Sequence, residues 1–178
     1  MENGWHCLRR LTQRVRRVAI IVNARNEGSL HYISSIEEAG RSLSVSVSTA
    51  SVSSAGEIET AIPALAQPGS GLIVLPDNLA VVHRRLIIDL AARHRLPVMY
   101  PSRTFTNDGG LISYGIDWVD IYRQAAGYVD RILRGAKPAD LPVQAPTKFE
   151  LIINAKAARS LGIAVSQSLL GGADVVIE

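Results

Sequence analysis

Polar and aromatic side chains stand just after several short apolar runs of this sequence, at positions where they could bind a small molecule. Amides, hydroxyls and helix amino termini suit the charged ends of such a ligand, and aromatic faces suit its apolar body. Asp77 or Asp117 could meet an ammonium group, and Ser29 at the start of a helix could hold a carboxylate. The candidate ligand-binding residues are Asn23, Asn26, Ser29, Asp77, Asn78, Tyr100, Tyr114 and Asp117.

Each of these residue types is also common in ordinary turns, so identity alone does not make a site. If the preceding strands are parallel, however, their carboxyl ends meet at one edge of a sheet, which is where open α/β proteins bind ligands. The pattern therefore predicts a ligand cleft rather than a catalytic centre.

Motifs of catalytic, metal or cofactor sites are missing from the sequence. There is no glycine-rich phosphate loop and no Gly-x-Ser-x-Gly turn. The four histidines, His6, His31, His83 and His94, are not at metal-ligand spacing, and the single cysteine, Cys7, excludes an internal disulfide. We predict a non-enzymatic protein with no catalytic residue, no metal and no cofactor.

The composition is that of a chain with a packed core and a basic leader. The 178 residues are 47% hydrophobic and 20% charged. Five arginines and one acid lie in residues 1–17, whereas the remainder, with 14 basic and 15 acidic residues, is nearly neutral. We therefore expect no nucleic-acid partner. The sequence shows neither a membrane-spanning apolar run nor the apolar stretch of a secretion signal.

The run 72–75 predicts a strand buried on both faces, because it is apolar without alternation and stops at Pro76. Strands are predicted over 18–22, 43–49, 72–75 and 96–100. Helices are predicted from Ser29, from the capping box of Ser54 and Glu57, and over 79–95 with Val82 on the buried face. This βαβαβαβ order predicts an α/β fold with a doubly wound parallel sheet.

The second part of the chain is predicted to contain one long helix between further strands. Asp117 caps this helix, and Gly135 ends it. Its apolar side bears Trp118, Ile121, Ala125, Tyr128, Val129 and Ile132. The other predicted elements are a strand over 111–114, a linker over 137–142, a strand over 149–153, a helix over 154–161 and a tail over 173–178.

Several longer stretches resemble a known family. From about residue 17 onward, the sequence resembles the C-terminal part of the bacterial ABC-transporter substrate-binding proteins that include binders of tryptophan and other aromatic amino acids. The resemblance is carried by VN at 22–23, LPDN at 75–78, LISYGID at 111–117, ILRGAKPADLPV at 132–143 and PTKFELIIN at 146–154. It covers most of this chain but only about half of a full family member.

The resemblance implies a type I periplasmic-binding fold, in which two α/β lobes joined by a hinge close on a ligand. Residues 17–110 would form the second, ligand-binding lobe. Residues 111–145 would be a crossover strand and helix of the first lobe, and 146–178 a return strand, helix and tail. Residues 1–16 would be a basic leader unlike the family. The resemblance further implies capture of an amino-acid-like solute, an ABC permease as partner and a periplasmic location, although a chain without a signal would stay in the cytoplasm.

The main part of a first lobe has no counterpart before residue 18, so we expect a truncated form. The helix from Asp117 would then expose Trp118 and Ile121, and such a patch favours a homodimer. Three alternatives stay open at this point: an effector-sensing domain of a regulator with the same fold, a small enzyme of flavodoxin-like plan, and a non-functional, self-associating fragment. The regulator lacks room for a helix-turn-helix in residues 1–17.

Overall fold

The structure is a computed structural model that describes residues 15–178. The predicted basic leader therefore lies outside the described residues, except for Val15 and Arg16. The strands are β1 (Arg17–Asn23), β2 (Ser46–Val52), β3 (Ser70–Val74), β4 (Val98–Tyr100), β5 (Ile112–Ile116), β6 (Phe149–Asn154) and β7 (Val175–Ile177). The helices are α1 (Glu27–Ser42), α2 (Ala55–Leu65), α3 (Asn78–Val82), α4 (Arg84–Arg93), α5 (Arg103–Asn107), α6 (Trp118–Leu133), a 3₁₀ turn (Pro138–Asp140), α7 (Ala155–Ser160) and α8 (Gln167–Leu170).

One sheet joins the seven strands of this part of the chain, in the order β2-β1-β3-β4-β5-β6-β7. β1 to β5 pair in parallel and confirm the predicted α/β fold, but β6 runs antiparallel to β5, so the sheet is mixed. The chain leaves β5 through α6 and returns to the same edge of the sheet, because Ile116 at the end of β5 pairs with Phe149 at the start of β6. The direction of β6 follows from that return.

Apolar clusters cover both faces of the sheet because its central strands are buried on both sides. In β1, Ile20 packs in the cluster that includes α1 and α7, whereas Ile21 packs in the cluster that includes α2 and α4. All five residues of β3 are buried, which confirms the strand predicted from the unbroken apolar run. These two layers hold the carboxyl ends of β1 and β3 side by side.

Two helices differ from their predicted bounds. α1 begins at Glu27 with Asn26 as its N-cap residue, so the prediction that Ser29 caps it is wrong. The helix predicted over 79–95 is interrupted at His83, and Val82 is 71% exposed rather than buried. The run of three apolar residues at 86–88 allows more than one helical register, and the sequence pattern did not select the observed one.

Two strand predictions also require correction. β2 starts at Ser46 rather than at Leu43, because the turn after α1 extends to Ser44, which has a positive φ of 54°. The segment predicted as a tail contains β7, whose Val175 pairs in parallel with Ile152 of β6. A run of three apolar residues is too short to reveal a strand without knowledge of its neighbour.

The long helix α6 contributes no buried residue to the described structure. Of the predicted apolar side, Trp118 is 53% exposed, Val129 54% and Ile132 40%. These three side chains are therefore largely open in the described structure. In the described residues, no helix is both long and apolar enough to cross a membrane.

Gly115 allows the turn after β4 to lie directly against β5. A Cβ atom at this position would overlap the backbone carbonyl of Pro101. The close approach places Arg103, at the start of α5, next to β6, where its guanidinium lies 3.0 Å from the Glu150 carboxylate. Absence of a side chain at Gly115 thus determines the shape of this part of the sheet edge.

Replacement of Gly115 by alanine is expected to lower the free energy of unfolding by about 1–3 kcal/mol, because the backbone of Pro101 must move to accept the methyl group. Urea unfolding followed by circular dichroism measures this change. Gly56→Ala is the matched control, since a Cβ at Gly56 of α2 meets nothing within 4 Å. Equal stability of the two variants would contradict the proposed contact.

Candidate functional site

The sheet has a topological switch point between β1 and β3. These strands are neighbours, but the chain continues from β1 outward to β2 and from β3 in the opposite direction to β4 and β5. Loops after the two strands therefore diverge and leave a crevice at their carboxyl ends. In open α/β sheets this crevice is the usual ligand position. Asn23 is the last residue of β1, Asn26 lies in the loop after it, and Asp77 follows β3.

The carboxylate of Asp77 joins the two sides of this crevice. Its Oδ1 accepts hydrogen bonds from Nδ2 of Asn23 at 3.1 Å and from the backbone N–H of Leu79 at 2.7 Å. Its Oδ2 accepts a hydrogen bond from Nδ2 of Asn26 at 2.7 Å. Oδ1 of Asn23 in turn accepts the N–H of Arg25 at 3.0 Å. The three side chains form a connected polar group, which we name the Asp77 cluster (Asn23, Asn26 and Asp77).

Ser29 and Asn78 lie beside the Asp77 cluster in different environments. Ser29 is 2% exposed, and its hydroxyl donates a hydrogen bond to the carbonyl of Pro76 at 3.2 Å. It therefore ties α1 to the loop after β3. Asn78 is the first residue of α3 and is exposed at the same edge. Ser29 supports the crevice, whereas Asn78 stands at its surface.

A second polar group occupies the end of β5 and the start of β6. Asp117 is 8% exposed. One of its oxygens accepts the N–H of Asp120 at 3.1 Å, and the other lies 3.2 Å from Nζ of Lys148. The Asp120 N–H holds the pKa of Asp117 below its ordinary value, and the Lys148 ammonium acts in the same direction against the opposing effect of burial. The carboxylate is therefore held in its charged form.

Glu150 lies next to this pair, and its pKa is shifted in the opposite direction from that of Asp117. Burial raises the pKa of Glu150, and the negative charge of Asp117 raises it further, whereas the Arg103 guanidinium opposes the change. Arg103 and Lys148 each neutralise one of two neighbouring acids. We name these four residues the charged row (Arg103, Asp117, Lys148 and Glu150).

The two predicted tyrosines have different positions. Tyr114 is partly exposed in β5, and its ring stacks on that of Phe149 with the ring centres 5.7 Å apart. Tyr100 ends β4 but is only 2% exposed, and its ring stacks on buried Phe105 at 5.0 Å. Burial raises the pKa of the Tyr100 hydroxyl. Tyr114 can present an aromatic edge to the crevice side, whereas Tyr100 belongs to the core.

The predicted residues thus form two groups and one outlier. The Asp77 cluster, with Ser29 and Asn78, lies at the ends of β1 and β3, and Tyr114 with Asp117 lies at the end of β5. Because β4 separates β3 from β5, the two groups stand about 10 Å apart at the usual strand spacing. That distance matches the length of an amino acid with a large side chain. Tyr100 is not part of either group.

Arg103, Lys148 and Glu150 were not predicted from the sequence. They reach this edge because β6 is antiparallel, so that its first residues meet the last residues of β5. The alternation of charged and aromatic residues in Lys148, Phe149 and Glu150 was a signal for an edge position. This alternation indicates the edge position only when the direction of β6 is known.

A cavity of about 540 Å³ lies at the opposite edge of the sheet. Val98, Leu111 and Ile177 line it, together with Tyr100 and Asn154. Its size would suit a small ligand, but it lies at the amino ends of β4 and β5, away from the switch point. We therefore assign the candidate site to the carboxyl edge. Within residues 15–178, no three His, Cys, Asp or Glu side chains are grouped to bind a metal ion.

Comparison with known proteins identifies a family and a relative to which this chain is similar. The family model described as ABC transporter substrate binding protein matches residues 2–177. The matched range includes most of the basic leader, contrary to the expectation that it is unlike the family. A tyrosine-binding protein from Clostridioides difficile strain R20291 is 24% identical over 151 residues, which are 85% of this chain and 44% of that protein. This chain therefore spans about half the length of that relative.

Solved structures show the same fold over almost the whole chain. An ABC domain in complex with L-Trp from Streptococcus pneumonia superposes with a TM-score of 0.89 at 24% identity, covering 99% of this chain and 61% of the other. A conserved domain protein from Vibrio cholerae gives 0.89 at 23% identity, covering 98% and 59%. A ligand-free, open substrate-binding protein with adhesive properties from Clostridium difficile gives 0.74 at 18% identity, covering 99% and 59%.

The order of the strands, the polar groups at the carboxyl edge and these similarities agree with one another. The family match extends over nearly the whole sequence. The chain belongs to the ABC transporter substrate-binding protein family.

Proposed function

We propose that this chain binds a small amino-acid-like solute at the carboxyl edge of its sheet, as the non-catalytic solute-binding component of an ABC importer. The observation that carries the proposal is the Asp77 cluster, which links the two sides of the switch point through hydrogen bonds. A tyrosine-binding relative and a structural neighbour in complex with L-Trp make aromatic amino acids the first candidates.

The Asp77 carboxylate is suited to an ammonium group. Its two oxygens offer about four acceptor positions. Asn23 and the Leu79 N–H use two on Oδ1, and Asn26 uses one on Oδ2. The remaining position on Oδ2 can accept a hydrogen bond from a ligand. Because the amides of Asn23 and Asn26 already orient the carboxylate, the ligand does not have to order it on binding.

The charged row and the stacked rings offer complementary partners about 10 Å away. Lys148 and Arg103 retain 59% and 44% exposure of their side chains, so each can turn part of its charge toward a ligand carboxylate. The aromatic pair of Tyr114 and Phe149 suits an apolar or aromatic side chain. A zwitterion with an aromatic body would satisfy both groups.

The roles in transport rest on the family. A membrane permease as partner and a location outside the cytoplasmic membrane are what an importer component requires. Family membership favours this function over a regulator or a flavodoxin-like enzyme.

Asp77→Asn should weaken the binding of L-tryptophan or L-tyrosine about 10- to 100-fold, because a hydrogen bond to a charged group contributes about 1.5–3 kcal/mol. Isothermal titration calorimetry measures the affinities. The control is Asp89→Asn, which removes an exposed acid from α4. If the unsubstituted chain binds neither amino acid at millimolar concentration, the proposed ligand class is wrong for this chain.

Asp117→Asn should lower the free energy of unfolding near neutral pH. It should also make that free energy change less as the pH is lowered. The pKa of Asp117 is lowered from the ordinary 3.8, so the stabilisation is present above that pH and is lost as the pH falls through the lowered value. The Asp117 charge also raises the pKa of Glu150, so its removal relieves that repulsion and offsets part of the lost stabilisation near neutral pH. The stability difference between the two proteins should therefore shrink from about pH 5 downward.

Urea unfolding followed by circular dichroism at a series of pH values measures this difference. Asp89→Asn again serves as a control, since its side chain is exposed on α4. A difference that is the same at every pH would show that the charge of Asp117 contributes nothing to the fold.

A further inference from the structure

The cavity of about 540 Å³ at the amino ends of β4 and β5 has a buried floor and an exposed rim. The charged residues that line it, Asp108, Lys156 and Glu178, all stand on the rim. The floor is made of buried residues: Ile88, Ala91, Val98, Tyr100, Leu111 and Asn154. The floor is therefore apolar apart from one hydroxyl and one amide.

The hydroxyl of Tyr100 has no hydrogen-bond partner within residues 15–178, although the residue is only 2% exposed. Burial is the cause of the raised pKa of this hydroxyl, and no hydrogen bond contributes to it. In the described part of the chain, every fully enclosed side-chain nitrogen or oxygen has a partner. A hydroxyl without one must therefore reach open space, and the open space that Tyr100 lines is this cavity.

The amide of Asn154 is held by the protein itself. Its Oδ1 accepts the N–H of Ala157 at 2.9 Å, and its Nδ2 donates to the carbonyl of Thr106 at 3.2 Å. Asn154 is thus already oriented by two bonds to the backbone, whereas the Tyr100 hydroxyl is left for a ligand. Buried polar groups of proteins are almost always paired with protein, water or ligand.

The Tyr100 ring has a fixed position because it is packed on two sides. One face stacks on Phe105, with the ring centres 5.0 Å apart. At Gly110, a Cβ atom would lie 2.6 Å from Cε2 of Tyr100, so only glycine lets the loop before β5 lie against the ring edge. The hydroxyl therefore does not have to be ordered when a ligand binds.

We propose that this cavity is a second binding site, for a neutral and mainly apolar small molecule whose single hydroxyl or carbonyl group pairs with the Tyr100 hydroxyl. The volume lies in the range of small-molecule sites, which combine an apolar lining with few polar groups. A charged group would lose its hydration against the uncharged floor, which favours a neutral ligand.

This second site is independent of the function proposed above. It lies at the amino edge of the sheet, and neither the Asp77 cluster nor the charged row lines it. Loss of one site is therefore expected to leave the other intact.

Two probes that differ by one hydroxyl, 4-ethylphenol and ethylbenzene, test the proposal on the full chain. Both should shift the ¹⁵N NMR signals of Gly109, Gly110 and the Asn154 side chain, which line the cavity. 4-Ethylphenol should bind about 3- to 10-fold more tightly, the usual range for one neutral hydrogen bond.

Tyr100→Phe should remove this preference for 4-ethylphenol, because it deletes the hydroxyl and keeps the ring. Tyr122→Phe is the matched control, since Tyr122 is 71% exposed on α6, away from the cavity. Its preference for 4-ethylphenol should equal that of the unsubstituted chain. A preference that Tyr100→Phe leaves unchanged would overturn the proposed hydrogen bond.

Urea unfolding without probe gives a second readout of the same hydroxyl. Tyr100→Phe should not lower the free energy of unfolding, because no bond within the protein is lost. A clear loss of stability would show that the hydroxyl is bonded inside the protein and would overturn the proposal.

A variant that fills the cavity tests the site without a change at Tyr100. Ala92→Phe should weaken the binding of both probes at least 5-fold, because Ala92 lines the cavity from an exposed position on α4. Ala139→Phe, at an exposed position outside the cavity, is the control. Absence of probe-induced shifts at the cavity signals up to millimolar concentration would overturn the proposal. Shifts of the same signals with protein concentration alone would overturn it in favour of a second copy of the chain.

Discussion

One carboxylate, that of Asp77, connects the ends of the two strands that flank the switch point of the sheet. It accepts hydrogen bonds from Asn23 and Asn26 on the β1 side and from the start of its own helix on the β3 side. Removal of this acceptor would leave two amides and a backbone N–H in need of new partners. The same bonds that order the loops also orient the carboxylate at the position where we propose that a ligand binds. Structural support and the proposed recognition therefore depend on one group.

Much of this arrangement could be predicted because it follows from burial. Strands covered on both faces must be continuously apolar, so the runs around Ile20 and Ile73 indicate central strands. Such runs end where the chain meets water, and Asn23 and Asp77 mark those points. Parallel pairing then brings the two strand ends together, although they are more than fifty residues apart in the sequence. Local composition and one topological rule were enough to find the Asp77 cluster.

Other features depend on contacts that local patterns do not encode. Tyr100 stands at a strand end like Asn23, but the turn through Phe105 folds back over its ring and encloses it. Lys148 and Glu150 join the edge only because the chain returns beside β5 in the opposite direction. For α6, the periodicity identified an apolar side, but not whether this chain covers it. In each case the deciding partner is distant in sequence.

The central claim is that an aromatic amino acid binds at the carboxyl edge, against the Asp77 cluster. Titration of the ¹⁵N-labelled chain with L-tryptophan tests it directly, because the experiment detects the side-chain N–H groups of Asn23 and Asn26 as well as the backbone. These two signals, and the backbone signals of Leu79 and Lys148, should shift together with a single affinity. Shifts confined to Asn107 and Asn154, which line the cavity at the opposite edge, or no shifts at all, would contradict the assignment.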